Sequence, residues 1–245
     1  MISDDSIYYY YYYYYYYYIK TWKFRRFFLS TERIDKSKSM WFSYSDSLRR
    51  ARFALFRTWL GVDSKKSILD VGGTRETWEG TGLEEKVTLL NLTSPKTEDL
   101  QNGFTCVQGN ALDMGMFPDN HFGVVFSNSV IEHVGSFENQ VRFAREVRRV
   151  GKSYWVQTPN RYFPVEPHLM FPFFQFLPER VQQWIAVNWT HSHLKRWKSD
   201  EEELLEELEK IRLLNRKELA SLFTNAEIYS EKVYGLTKSL VAYKV

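Results

Sequence analysis

The stretch Ser67, Ile68, Leu69, Asp70, Val71, Gly72, Gly73, Thr74 decides how the rest of the chain is read. An apolar run that fits a strand is followed at once by two glycines, so the backbone turns where a strand of an α/β sheet would end. A glycine turn at that place lets main chain approach a ligand closely at the carboxyl edge, where such sheets bind nucleotides. The same residues also serve as a plain strand-to-helix turn, and the turn alone does not separate the two.

Outward from this point the chain alternates. A helix is expected before it, from Ser45 to Leu60, with Leu48, Phe53, Leu55, Phe56, Trp59 and Leu60 at helical spacing and Gly61 as the stop. After the turn come a helical stretch, then strands from Lys86 to Leu92, Phe104 to Gln108 and Phe122 to Ser127. A helix from Phe137 to Arg149 and a strand from Ser153 to Thr158 follow. This order implies a parallel sheet covered by helices on both faces. Two last strands, Ala226 to Tyr234 and Lys238 to Tyr243, are joined by only Gly235, Leu236 and Thr237. So short a link makes a hairpin, and at least one of the two runs antiparallel.

Between the halves, Arg161 to Trp197 is rich in proline and aromatics, an insertion of the kind that carries function. Phe171 to Leu177 fits a packed cap, an apolar acceptor pocket or a membrane contact. The charged helix that follows has Leu204, Leu208 and Ile211 on one face. Residues 1–39 form a separate low-complexity segment, with tyrosine at every position from Tyr8 to Tyr18, then Lys20, Trp22, Lys23, Phe24, Arg25, Arg26, Phe27 and Phe28. A homopolymer has no alternation to fix a buried face, so a tail is expected there. The aromatic and basic residues after it suit a peripheral membrane contact. Residues 40–245 are read as one domain, with 160–200 as its cap.

Length and composition agree with one large α/β domain: 245 residues, 44% hydrophobic. The formal charge is +3, with acids and bases interspersed, which disfavours a nucleic-acid partner. The single cysteine, Cys106, excludes an intrachain disulfide and reads as a small core residue. No stretch approaches the roughly 20 apolar residues of a membrane span, so a cytoplasmic protein is expected.

Further stations recur in order. Asn91 closes the second strand, Gly109, Asn110 and Ala111 follow the third, Phe117, Pro118, Asp119 and Asn120 precede the fourth, and the fourth runs into Ser127, Asn128, Ser129, Val130, Ile131, Glu132 and His133. On these residues the sequence resembles the class I S-adenosylmethionine-dependent methyltransferases, in particular the methyltransferase type 11 group, from Ser67 to Pro159 and more loosely beyond. Some members share the Asp, Val, Gly, Gly, Thr turn and a phrase like Val156 to His168. The resemblance implies a Rossmann-like, mostly parallel seven-stranded sheet with an antiparallel C-terminal strand. It also implies S-adenosylmethionine as cofactor: Asp70, Gly72, Gly73 and Thr74 at its methionine end, Asn91 at the ribose, Asn110 and Ala111 at the adenine, with Ser127 and Asn128 beside it. Three departures from the family pattern involve four positions. Thr74 and Glu76 stand where later glycines are usual, and Asn91 and Asn110 stand where carboxylates are usual. An amide oxygen lacks the charge-assisted strength of a carboxylate, so weaker cofactor binding is expected.

For the chemistry, an aligned acceptor must be shielded from water and, if a hydroxyl, relieved of a proton. His133 has the right pKa range and position, with Glu132 beside it; the pair also suits a loop cap. Asn160, Arg161, Glu166 and His168 offer acceptor contacts, Arg161 as a fork for an anion, or else a proline-braced loop of mutually paired charges. His191 and His193 lack a ligand pattern around them and read as surface residues, so no metal is expected. The acceptor is expected to be a small molecule of lipid-like or saccharide-like character; the sequence leaves its identity and the oligomeric state open. Two rivals stand beside this reading. A nicotinamide dehydrogenase would need a Gly-x-Gly-x-x-Gly turn and an acid closing the second strand, which the chain lacks. A non-catalytic cofactor-binding or membrane-peripheral module would fit the reduced glycine turn.

Overall fold

A computed structural model describes residues 50–63, 65–94, 103–189, 194 and 200–245. The tyrosine run, the aromatic and basic patch after it, His191 and His193 lie outside these residues. The chain divides into two compact units: Phe56–Phe163 with Glu209–Val245, and Pro164–Leu208 with the chain up to Leu55.

The first unit holds the large sheet. Its strands are β1 (Ile68–Val71), β2 (Val87–Asn91), β3 (Thr105–Gln108), β4 (Phe122–Asn128) and β5 (Gly151–Pro159). Two more, β8 (Glu227–Val233) and β9 (Leu236–Lys244), close the chain. They form one seven-stranded sheet in the order β3-β2-β1-β4-β5-β9-β8. All neighbours are parallel except β9, which runs against both β5 and β8. The chain moves outward from β1 through β2 to β3, then returns to β4 on the other side of β1. The gap between the carboxyl ends of β1 and β4 is therefore the switch point at which open α/β sheets bind ligands.

Alternation along β5 sorts the two faces. Tyr154 and Val156 belong to a cluster with Phe143, Val147 and Val150 of α2 (Phe137–Val150) and Leu219 and Leu222 of α5 (Arg216–Leu222). Trp155 points the other way, its ring 5.9 Å from Phe56 and 6.0 Å from Trp59 of α1, the helix at residues 50–59. Helices thus cover both faces. The start of α2 is fixed by Ser136, whose hydroxyl accepts from the Asn139 N–H, and α5 by a capping box of Asn215 and Glu218.

The connection from β1 to β2 departs from the expected helix. It contains only two single 3-10 turns, Arg75–Thr77 and Glu84–Lys86. Gly80 and Gly82 both adopt left-handed backbone (φ +74° and +71°), which breaks any continuous α-helix. The fully buried Trp78 plugs the space instead, edge-on to Phe56 and Phe126. Cys106 is half-buried on β3.

The second unit is the proline-rich insertion. It contains a small antiparallel pair, β6 (Val165–Glu166) with β7 (Phe171–Pro172), then a 3-10 turn at Phe174–Phe176 and the helix α3 (Glu179–Asn188). Helix α4 (Glu201–Lys210) leads out of it and buries Leu204. No helix among the described residues is long and apolar enough to cross a membrane.

Candidate functional site

The carboxyl ends of β1, β2 and β3 are zipped together beyond the sheet proper. The Gly72 N–H donates to the Leu90 carbonyl (2.8 Å) and the Gly109 N–H to the Asn91 carbonyl (2.8 Å). The Asn91 side-chain amide donates to the Gly73 carbonyl (2.9 Å). Only an amide can tie down that carbonyl while keeping an oxygen to accept from a ligand; a carboxylate has no proton to give. The departure from the family pattern at Asn91 thus has a local physical use.

The two glycines are required for different reasons. Gly72 has φ +71°, and a Cβ there would sit 2.6 Å from Val130 Cγ2, so it allows the turn to pass under the loop after β4. At Gly73 a Cβ would fall 1.7 Å from Asp70 Oδ2: the Asp70 carboxyl occupies the place a side chain would take. Asp70 is 1% exposed and accepts from the Trp78 indole N–H at 2.6 Å. Burial raises its pKa to about 7, against the lowering effect of the indole donor. Asp70 therefore braces the turn from beneath. Thr74 has extended backbone (φ −129°), is half-buried and makes no side-chain cap bond.

After β3, the exposed Asn110 folds back on its own loop: its side-chain oxygen accepts from the Leu112 N–H (2.9 Å). Its oxygen is thereby engaged within the loop. Ala111 is half-buried next to it and packs on the core. Arg149, at the end of α2, pins the following loop through the carbonyls of Met114 (3.0 Å) and Phe117 (2.8 Å) and through Asp119 (3.0 Å).

At the end of β4 lie Ser127, fully buried with its hydroxyl 3.4 Å from the Val71 carbonyl, and the half-buried Asn128. Ser129 takes a left-handed backbone (φ +54°) and donates to Gln157 Oε1 (3.0 Å). The 3-10 turn Ile131–His133 follows. Glu132 is wholly buried; its Oε2 accepts from the Thr158 hydroxyl (3.0 Å), and its Oε1 has no hydrogen-bond partner. Burial pushes its pKa up to about 8, so the carboxyl is neutral at pH 7. The surface of His133 is only half covered, yet its ring is enclosed deeply enough that desolvation of the imidazolium lowers its pKa to about 4. Both side chains of the turn are thus uncharged near neutrality.

The four expected acceptor contacts divide between the units. Asn160 and Arg161 belong to the first. The Asn160 amide is committed to backbone, donating to the Thr237 carbonyl (2.9 Å) and accepting from the Tyr162 N–H (3.3 Å); its own N–H donates to the Lys238 carbonyl (2.9 Å). That is a structural task, joining the end of β5 to the start of β9. Arg161 is half-buried, and its N–H donates to the Leu214 carbonyl (2.9 Å). Glu166 and His168 belong to the second unit, both buried. His168 Nδ1 lies 2.5 Å from Glu166 Oε1, and Glu166 Oε2 accepts from the Leu169 N–H (2.7 Å). They form the internally paired loop that the sequence left open as an alternative. Trp78, Thr158, Gln140 and Arg212, all in contact with the site residues, were not singled out by the sequence. Thr158 stands inside the phrase Val156 to His168 without a role expected of it, and Trp78, Gln140 and Arg212 lie outside the motifs.

The seven-stranded, mostly parallel sheet is Rossmann-like, and its glycine turn lies at the switch point where such sheets bind ligands. Residues 69–154 match the family described as Methyltransferase domain. Over those residues, well under half of its length, the chain is similar to that family. Among curated proteins, an uncharacterized protein of Mycobacterium tuberculosis is 39% identical over 56 residues. That stretch is 23% of this chain and 19% of that protein's length. Solved structures of similar fold include a SAM dependent methyltransferase from Archaeoglobus fulgidus, at 12% identity and TM-score 0.49, covering 80% of this chain and 94% of that one. Another is the 1,6-didemethyltoxoflavin-N1-methyltransferase of Burkholderia thailandensis, with its substrate and S-adenosylhomocysteine bound, at 13% identity and TM-score 0.48, covering 80% and 76%. At such identities the fold rests on the strand order described above.

Proposed function

We propose that this chain transfers a methyl group from S-adenosylmethionine to a small-molecule acceptor, lipid-like or saccharide-like in character, at the carboxyl edge between β1 and β4. The observation that carries this reading is the Asn91 amide bonded to the Gly73 carbonyl at 2.9 Å, which makes the ends of β1 and β2 one rigid cradle. Gly72, Gly73 and Thr74 would hold the methionine end, the Asn91 oxygen a ribose hydroxyl, and Asn110 with Ala111 the adenine. Ser127 and Asn128 flank the cofactor from β4, while Asp70 acts from below by fixing Gly73. When bound, the cofactor supplies a methyl group already activated on a sulfonium, so the protein's work is alignment and exclusion of water.

On the acceptor side, His133 enters as a neutral imidazole, able to accept a hydrogen bond from an O–H or N–H and so aim the nucleophile. A ring with a pKa near 4 is a poor store for a proton, and its contribution as a base depends on that value rising when an acceptor is bound. Arg161 stands at the same edge as a fixed cation for an anionic acceptor group.

The reading is tested by calorimetry with S-adenosylmethionine and S-adenosylhomocysteine on the parent and on Thr74→Arg. Thr74 is the better position for a block than Gly72, where any side chain strains the backbone and strikes Val130. Binding to the parent, weaker than low-micromolar, and its loss in Thr74→Arg are expected. No binding to the parent overturns the assignment and favours a non-catalytic module.

A further inference from the structure

The turn Ile131–His133 is three residues long, and a single 3-10 turn has little stability of its own. Its orientation is imposed from outside. Arg212, in the segment between α4 and α5, donates its backbone N–H to the Glu132 carbonyl at 2.7 Å. The Arg212 guanidinium donates to Gln140 Oε1 at 2.7 Å and to Glu218 Oε1 at 2.5 Å, and lies 4.8 Å over the centre of the Phe137 ring. Gln140, fully buried on α2, closes the circuit: its amide donates to the Ile131 carbonyl (3.0 Å) and to the Arg212 carbonyl (2.8 Å). Two residues past the turn, the Gly135 N–H donates to the Lys210 carbonyl at 3.1 Å.

Every polar group of Gln140 is spent on this arrangement. A buried amide costs free energy that an apolar side chain of the same size would not, so packing alone does not explain it. The anchor at the far end is itself fixed, because Glu218 Oε2 accepts from the Asn215 N–H (3.0 Å) in the capping box of α5. The turn is thus tied to two helices on one face of the sheet, through a planar fork that only arginine provides.

We propose that Arg212 and Gln140 are positioning residues that hold the Glu132–His133 turn, and through it the His133 ring, in register with the acceptor side of the site. The inference rests on the proposed role of that turn, but its test does not need the acceptor. Of the titratable groups, Glu132 lies on the turn itself and Arg212 and Glu218 form the clamp, while helix α2 also carries Glu138, Arg142, Arg145, Glu146, Arg148 and Arg149, and α5 Arg216 and Lys217.

The experiment is an NMR titration of the histidine ring signals in the full chain, with His133 assigned by loss of its signal in His133→Gln. Arg212→Lys keeps every charge but loses the fork, and Gln140→Leu keeps the size but loses the amide. In both, the His133 midpoint should rise by about one pH unit or more as the loosened turn lets water reach the ring, with His121 unchanged. Cofactor affinity, read by calorimetry, should not move. A His133 midpoint in folded Arg212→Lys equal to the parent's overturns the proposal. If Gln140→Leu does not fold, Arg212→Lys decides alone. A shifted midpoint in a protein that binds no cofactor would instead keep the clamp and sink the methyltransferase reading.

Discussion

Two carboxyls, Asp70 and Glu132, are buried at the ends of the adjacent strands β1 and β4, and they are held in opposite ways. Asp70 is gripped locally: an indole donor eight residues on, and a glycine that leaves its Cβ position vacant for the carboxyl. The Glu132 carboxyl is gripped from afar by a hydroxyl on β5, with one oxygen left without a partner, while the backbone carbonyl of Glu132 accepts from the Arg212 N–H. Both are driven toward the neutral form by burial, Asp70 to about 7 and Glu132 to about 8. The first corner is a self-contained brace beneath the cofactor turn. The second is an assembly of distant segments, adjustable where the first is rigid.

The largest expected effect breaks the first corner. In Gly73→Ala the new Cβ would meet Asp70 Oδ2 at 1.7 Å, so the turn or the carboxyl must move. Destabilisation of about 3 kcal/mol or more is expected in urea unfolding. Combining it with Asp70→Ala should recover about 1–3 kcal/mol relative to additivity, since the clash is then gone. A cost below about 1 kcal/mol for Gly73→Ala alone would show that Asp70 does not sit beneath the turn.

The next effect measures the charge cost of each corner. Glu132 has a folded pKa near 8 against an ordinary 4.5, so the folded state holds its proton longer than the unfolded chain. Its contribution is fully present below pH 4.5 and is lost as pH rises through 8. Glu132→Gln should therefore stabilise the protein by roughly 1–3 kcal/mol at pH 8 and by nothing near pH 4. Asp70→Asn should show the same sign over the narrower window from 3.8 to about 7, with a smaller gain. Equal urea midpoints for Glu132→Gln and parent at both pH values would remove the buried-acid description. His133 runs the other way: its depressed pKa costs stability as pH falls from 6.5 through about 4. His133→Gln should relieve about 1–2 kcal/mol at pH 4 and leave pH 8 unchanged.

The contrast also marks what the sequence could show. Strand positions and the antiparallel end were legible because β4 is a near-continuous apolar run, β5 carries Tyr154, Trp155 and Val156 at its centre, and Gly235 sits in a link too short for a crossover. The glycine turn was legible for the same local reason. The missing helix after it was not, because its failure depends on Gly80 and Gly82 acting with Trp78 as a plug, a tertiary matter. Helix α5 was passed over although Asn215 and Glu218 spell a capping box; at seven residues it carries too little periodicity to stand out. Thr158, Gln140 and Arg212 find Glu132 and its turn only through the fold. Thr158 stands 26 positions from Glu132 and Gln140 stands 72 from Arg212, separations that leave no pattern in one sequence.

The smallest effect sharpens the first corner where sequence and structure meet. Asn91→Asp restores the carboxylate that the family pattern favours but removes the donor to the Gly73 carbonyl. For the half-buried Asn91, losing that bond and setting two acceptors against each other should cost about 0.5–1 kcal/mol of stability. A carboxylate accepting from a ribose hydroxyl is worth about 1.5–3 kcal/mol, against about 0.5–1.5 for an amide. The gain slightly exceeds the loosening of the turn. Cofactor affinity should therefore rise by a few-fold, up to about fivefold, while the urea midpoint falls. Both falling together would mean that Asn91 serves the turn alone and touches no ribose. Both rising would mean that the bond to Gly73 does nothing for the cradle, and the rigidity ascribed to this corner would have to come from Asp70 and Trp78.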